Sequence, residues 1–266
     1  MAESGVQRLA ELIDGSGNIV FFGGAGVSTE SGIPDFRSET GLYNARTKYG
    51  CSPEELISRS FFVKNPEIFY EYYKENLIFR DARPNKAHLA LAELEGTGKL
   101  KAVVTQNIDG LHQLAGSKTV HELHGSVLRN VCMKCGARYD LDYIMEPSHC
   151  VDKDGVEGSV PWCAVCGGMV KPDVVLYEES LDVRVMDAAE AAIRKADMLL
   201  VGGTSLVVYP AAGFLNYFKG SHLVLINKSK TAYDSMAELI INDAIGETLG
   251  RVMEVLRHEG EGARQG

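Results

Sequence analysis

Four short apolar runs constrain this chain more than any other feature. They are Asn18-Ile19-Val20-Phe21-Phe22, Ala102-Val103-Val104-Thr105, Met198-Leu199-Leu200-Val201 and Leu223-Val224-Leu225-Ile226. Each has the length and composition of a buried strand, and three of them end in glycine or a small polar residue: Gly23-Gly24-Ala25-Gly26, Gly202-Gly203-Thr204 and Asn227. Helical patterns lie between them. Val6, Leu9, Leu12 and Ile13 predict a helix over 5–15. Residues 85–95 predict another, with Leu89, Ala92, Leu91 and Leu94 inward, and 182–195 a third. A last helix at 245–258 is expected to bury Ile245, Leu249, Val252 and Leu256. Val174-Val175-Leu176 reads as one more strand. Strands alternating with helices predict an α/β fold with a mostly parallel, Rossmann-like sheet.

Two segments interrupt that rhythm. Residues 41–84 are rich in Tyr, Phe, Asn and charge and read as a helical insertion. Residues 126–171 carry four cysteines and many turn formers and read as a small inserted module. The expected division is therefore 1–40, 85–125 and 172–258 for the large domain, with 259–266 a frayed tail.

The 266 residues carry a formal net charge of −9, which disfavours a basic nucleic-acid-binding surface. No apolar run approaches the ~18 residues of a membrane span. The start, Met1-Ala2-Glu3-Ser4-Gly5, lacks a secretory pattern, so a reducing cytoplasm is expected.

Cys132-Met133-Lys134-Cys135 and Cys163-Ala164-Val165-Cys166 form two C-x-x-C pairs with 27 residues between them. Two such knuckles complete a tetrahedron of thiolates around one zinc ion and leave no open position, so the metal is structural. Asp152 to Gly158 reads as the loop that takes up the long interval. A pair of redox dithiols is the rival reading. A nucleic-acid-binding ribbon is disfavoured by the acidic surroundings (Asp140, Asp142, Glu146, Glu157). Cys51 and Cys150 read as ordinary free thiols.

The turn Gly24-Ala25-Gly26-Val27-Ser28-Thr29 is a partial dinucleotide fingerprint, with Thr29 in the last glycine's place. Such glycines let the backbone approach phosphate. No acidic residue follows at 42–53 to hold a ribose, which disfavours an ordinary dehydrogenase. Gly203-Thr204-Ser205 and Asn227 could supply further contacts. The cluster Thr105-Gln106-Asn107-Ile108-Asp109-Gly110-Leu111-His112 sits at a strand's carboxyl end, where open α/β sheets bind ligands. Asn107 and Asp109 could equally be turn formers. His112, His121 and His124 are each candidate general bases, and spacing does not choose among them.

Taken in order, these pieces resemble the sirtuin family. Residues 24–37 (GAGVSTESGIPDFR) resemble its signature loop, Thr105 to Asp109 its T-Q-N-I-D segment, and His124-Gly125 its H-G pair. The two C-x-x-C pairs, Gly203-Thr204-Ser205-Leu206 and Ile226-Asn227 follow in family order. The resemblance spans residues 5–257. It implies NAD-dependent removal of acetyl groups from protein lysines, with NAD consumed and nicotinamide, O-acetyl-ADP-ribose and free lysine released. Catalysis would fall to His124, Asn107 and Asp109, with His124 taking a proton from a ribose hydroxyl. NAD would lie against Gly24, Ala25, Gly26, Ser28, Thr29, Ile33, Asp35, Phe36, Arg37, Gln106, Asn107, Ile108, Asp109, His124, Gly203, Thr204, Ser205, Asn227, Lys228, Asp243 and Ala244. An acetylated lysine peptide would add as a strand between Val174-Val175-Leu176-Tyr177 and Leu206-Val207. The enzyme would act as a monomer, without nucleic-acid or membrane partners; a mono-ADP-ribosyltransferase is the alternative. Two departures stand out. Lys171, Tyr177 and Glu178 occupy positions where many members carry Arg, Phe and Gly. Tyr73 and Asn76 align with a Tyr-x-x-Arg pair of members that remove acidic acyl groups, so short neutral acyl groups are expected here.

Overall fold

The structure, a computed structural model, describes residues 2–34, 48–151 and 157–262. Helix α1 (Ala2–Gly15) leads into β1 (Ile19–Gly23). Helices α2 (Arg59–Lys64), α3 (Pro66–Asn76) and α4 (Lys86–Gly96) follow, then β2 (Leu100–Thr105) and β3 (Val120–Glu122). The cysteine-bearing stretch folds as β4 (Gly125–Cys132), β5 (Arg138–Asp140), β6 (Cys150–Val151), β7 (Glu157–Pro161) and β8 (Val170–Val174). Helix α5 (Val183–Lys195), β9 (Met198–Gly202), β10 (His222–Ile226), β11 (Leu239–Ile241) and α6 (Ile245–Gly262) complete the chain.

Six strands form one sheet in the order β11-β10-β9-β1-β2-β3, with every pairing parallel. The central strand β1 is buried throughout because both of its faces are covered. Ile19 and Phe21 point toward α1, α4 and α6, meeting Leu9, Ile13, Leu91, Leu249 and Val252. Val20 and Phe22 point the other way, toward Ala189 and Ile193 of α5 and Phe214 and Leu215 of a 3-10 helix, Ala211–Tyr217. Each such fully buried side chain contributes roughly 1.5–3 kcal/mol of transfer free energy. The chain leaves β1 toward β2 on one side and returns through β9 on the other. The strand order therefore reverses at β1, and a crevice opens at the carboxyl ends.

A second layer lies apart from this sheet. Strands β5-β4-β8 make an antiparallel sheet, and β6-β7 a two-stranded one. Phe62, Phe69, Tyr70 and Tyr73 of α2 and α3 share one core with Val127, Ile144, Val160, Val170 and Val174. Tyr70 donates its hydroxyl to the Val170 carbonyl, binding helix to sheet. Among the described residues no helix is long and apolar enough to cross a membrane.

Several expectations need correction. Leu89 is 53% exposed; the inward face of α4 is Ala87, Ala90, Leu91 and Leu94, and Leu89 falls off that stripe. The strand read at 174–176 runs instead from Val170 to Val174, and Val175 turns its amide to the His124 carbonyl. Helix α6 continues to Gly262, past the point where a tail was expected, and Leu256 is only partly buried. Glu157 and Gly158, read as loop, open β7; residues 152–156 lie outside the described residues. Strands β3 and β11 escaped the apolar-run criterion because each is three residues long at a sheet edge.

One buried feature carries a thermodynamic consequence. His88 and His112 are 0% and 1% exposed, with ring centroids 4.7 Å apart. Burial pushes His112 down to about 3, helped by its neighbour His88. It pushes His88 down to about 4 against the opposing charge of Asp109. Both are thus neutral when folded, whereas unfolded histidine binds a proton near 6.5. Their contribution to stability is complete above pH 6.5 and is lost as pH falls toward 4 and then 3, by up to about 1.4 kcal/mol per pH unit per histidine. We expect denaturant titrations between pH 6.5 and 4 to give a smaller loss of stability in His112→Gln than in the wild type. Equal slopes would contradict a neutral buried histidine.

Candidate functional site

The carboxyl ends of β1 and β9 interlock. The Gly26 amide donates to the Gly203 carbonyl at 2.8 Å. A Cβ on Gly26 would stand 2.8 Å from the Gly203 backbone, and one on Gly203 (φ 60°) would stand 2.4 Å from the Val27 nitrogen. No side chain fits at either position. Around this contact the other strand ends close in. The Thr204 amide donates to Asn227 Oδ1 at 3.0 Å, and Gln106 Nε2 donates to Thr204 Oγ1 at 3.1 Å. Gly24 lies against Thr204 so closely that a Cβ would meet the Thr204 Cβ at 3.0 Å. Four strands thus bring Gly24, Gly26, Gln106, Gly203, Thr204 and Asn227 to one place. Asn227 Nδ2 is buried there with no partner among the described residues, a donor left for a ligand.

A second chain of bonds runs beside it. Asn107 Nδ2 donates to Ser28 Oγ at 3.0 Å, and Ser28 donates to Asp109 Oδ2 at 2.7 Å. Asp109 Oδ1 accepts from the Leu111 amide at 2.9 Å, and Thr105 Oγ1 accepts from the Asn107 amide at 3.0 Å. Asn107 and Asp109 therefore shape the turn after β2 and also join it to the signature loop through Ser28.

The structure separates the three histidines. His112 is sealed in the core beside His88 and Phe21. His121 sits within β3. His124 follows β3 at the strand-end crevice, and its Nδ1 lies 2.9 Å from the Gln106 carbonyl. A carbonyl only accepts, so neutral His124 carries its proton on Nδ1 and keeps Nε2 as the basic atom. Burial lowers its pKa below the ordinary 6.5, opposed by the Gln106 carbonyl.

The remaining expected contacts fall in different settings. Thr29 Oγ1 closes its own turn onto the Gly26 carbonyl at 3.0 Å. Ala25, Ile33 and Ile108 are half-buried; Ser205 and Lys228 are exposed. Asp243 is held by Arg251 at 2.7 Å and caps the Ala244 amide. Asp35, Phe36 and Arg37 lie outside the described residues. In the expected peptide segments, Val174, Leu176 and Leu206 are buried, whereas Tyr177 and Val207 are 37% and 56% exposed. Leu206 belongs to the core on the α5 face of the sheet, and Val175 packs against that same core. Tyr73 is wholly buried among Phe69 and Tyr70, and Asn76 is exposed at the end of α3.

Two further residues hold the site in place. Asn85 Nδ2 donates to the Val27 carbonyl at 2.7 Å and to Ser31 Oγ at 2.9 Å, while its Oδ1 caps α4. Glu30 accepts from the Gly246 amide at 2.7 Å and ties the signature loop to α6. Only the capping pattern Pro84-Asn85 ahead of a helix could have drawn attention to the first.

The sulfurs of Cys132, Cys135, Cys163 and Cys166 all lie within 4.8 Å of one another. Cys132 and Cys166 are 3.5 Å apart and Cys135 and Cys163 3.6 Å, close to the ~3.8 Å edge of a tetrahedron with ~2.3 Å zinc–sulfur bonds. Gly168 fits under the cluster because a Cβ would lie 3.0 Å from the Cys132 sulfur. The donor set suits a structural zinc.

Fold and strand-end site together define a Rossmann-like dinucleotide-binding protein with a tetrathiolate module. The Sir2 family model matches residues 24–210. A Clostridium perfringens protein described as an NAD-dependent protein deacetylase is 59% identical over 250 residues, covering 94% of this chain and 98% of that one. A solved Sir2 enzyme structure superimposes with a TM-score of 0.82 at 40% identity, covering 96% of this chain and 99% of that one. A second, a Sir2 variant with a deacetylated p53 peptide and 3′-O-acetyl ADP ribose, gives 0.82 at 38% identity, covering 94% and 97%. The chain belongs to the Sir2 family, the sirtuins.

Elemental analysis is expected to find one zinc ion per chain, and Cys132→Ala or a strong chelator to lower the melting temperature and abolish turnover together. Unchanged melting after complete metal removal would contradict a structural zinc.

Proposed function

We propose that this chain removes acetyl groups from protein lysines at the expense of NAD, giving nicotinamide, O-acetyl-ADP-ribose and free lysine. The observation that carries the reading is His124: half-buried at the strand-end crevice, fixed through Nδ1 by Gln106, with its Nε2 left basic. The glycine cradle of Gly24, Gly26 and Gly203 and the unpartnered donor of Asn227 suit the backbone and polar edge of NAD. When bound, NAD supplies the ribose carbon that accepts the acetyl oxygen as nicotinamide departs.

The chain's own residues do the rest. Ser28, Asn107 and Asp109, locked to each other, orient the nicotinamide end. Gln106 and Thr204 brace the ribose and phosphates. Ile33 and Ile108 line the site and limit the access of water. His124 takes a proton from a ribose hydroxyl through Nε2. Such a transfer contributes ~10²–10⁴-fold in rate. The acetylated peptide pairs by its main chain with Val174–Tyr177 and with Leu206-Val207, so many sequences are accepted. We read residues 1–40, 85–125 and 172–258 as the NAD-binding domain, with 126–171 as the zinc module and 41–84 as the helical insertion. Asp35, Phe36 and Arg37 are assigned to NAD by family pattern. The enzyme acts as a cytoplasmic monomer on acetylated proteins; its net charge of −9 supports the absence of a nucleic-acid partner. The relatives favour acyl removal over ADP-ribosyl transfer as the outcome of nicotinamide release.

His124→Ala is expected to keep NAD binding within about 3-fold and to lower deacetylation by at least ~100-fold. Because the base must be neutral and its pKa is depressed, the midpoint of the acid limb of wild-type kcat should lie below the ordinary histidine value of 6.5. A variant retaining a tenth of the wild-type rate, or an acid limb well above 7, would move the base role elsewhere.

A further inference from the structure

Glu178 adopts a φ of 74°, a left-handed conformation that a side chain rarely takes. The family resemblance puts glycine at this place in many members, and glycine would adopt the same backbone without strain. The side chain here is engaged. Its Oε2 accepts from the Ser60 amide and its Oε1 from the Ser60 hydroxyl, both at 2.9 Å. Neighbouring bonds run in the same direction. Tyr177 donates its amide to the Ile57 carbonyl at 3.1 Å and accepts from the Arg59 amide at 3.0 Å. Glu179 reaches Arg59 at 2.9 Å and Lys171 at 3.0 Å, and accepts from the Leu176 amide at 3.0 Å.

These bonds suspend residues 174–179 between two anchors. On one side the Val175 amide donates to the carbonyl of His124 itself at 3.0 Å. On the other, residues 57–60 at the start of α2 hold Tyr177, Glu178 and Glu179. The stretch between the anchors is the one to which the acetylated peptide is assigned. Its position relative to His124 therefore depends on the helical insertion as well as on the sheet.

We propose that Glu178 is a positioning residue for the acylated peptide: its carboxylate latches the peptide-pairing segment to Ser60 and so sets the distance between the bound main chain and His124. The proposal rests on the deacetylase reading. The Glu178 carboxylate reaches the insertion and touches none of Gly24, Gln106, Gly203, Thr204 or Asn227, so loosening it disturbs the peptide side and leaves NAD binding intact. Two hydrogen bonds of ordinary strength hold the latch, and their loss costs a corresponding fraction of productive binding.

Glu178→Gly is the discriminating variant, since glycine keeps the backbone and removes the latch. With an acetyl-lysine peptide, its peptide KM should rise about 3- to 10-fold, with kcat within about 2-fold and the Kd for NAD unchanged. Glu178→Gln, which keeps an acceptor for the Ser60 amide, should recover most of the loss. Ser60→Ala attacks the same latch from the other side, and combined with Glu178→Gly it should add little. An unchanged peptide KM in Glu178→Gly overturns the latch, as does a parallel fall in NAD affinity and melting temperature, or full additivity with Ser60→Ala. A wild-type chain that removes no acetyl group overturns the deacetylase reading instead, and the latch's assigned role with it.

Discussion

The single contact on which the rest depends is the hydrogen bond from the Gly26 amide to the Gly203 carbonyl. It joins the ends of β1 and β9 across the point where the strand order reverses. Both partners must be glycine, since a Cβ on either would overlap the other's backbone. With that contact made, Thr204 comes within reach of Gln106 and Asn227, and a ligand can meet backbone without intervening side chains. Two apolar strands buried on both faces hold the two turns in register. The sheet's core is thus what places the polar site.

His124 inherits its properties from the same frame. Its Nδ1 partner is the Gln106 carbonyl, and Gln106 hangs its amide on the Gly23 carbonyl at the end of β1. The tautomer of His124 is therefore fixed by backbone geometry and not by a carboxylate partner. Asn107, Ser28 and Asp109 extend the linkage to the signature loop, which Asn85 and Glu30 then pin to α4 and α6. The second layer reaches the site through Val175, whose amide meets the carbonyl of His124. His124 is consequently anchored twice, by its ring to Gln106 and by its carbonyl to Val175.

Much of this was legible in the residues alone, for identifiable reasons. The four strands with continuous apolar runs are buried on both faces, and burial on both faces leaves an unbroken pattern. The tetrathiolate was legible because metal geometry dictates cysteine spacing. Strands β3 and β11 were not, since three residues at a sheet edge leave no run to read. Leu89 was misplaced because a helix rich in Ala and Leu presents apolar residues on more than one face. Local bonds at the strand ends follow from short motifs, whereas long-range ones do not. Glu30 meets Gly246 216 residues away, and Glu178 meets Ser60 118 residues away; no local pattern encodes either pairing. The different settings of His112 and His124 likewise depend on packing, because only the fold buries His112 beside His88.

Mass spectrometry of an acetyl-lysine peptide incubated with the protein, with and without NAD, tests the central claim most directly. The account predicts loss of the acetyl group only when NAD is present, with O-acetyl-ADP-ribose and nicotinamide appearing in step with it. Release of nicotinamide with the acetyl group still on the peptide, or with the ADP-ribose moiety retained on protein, would contradict it.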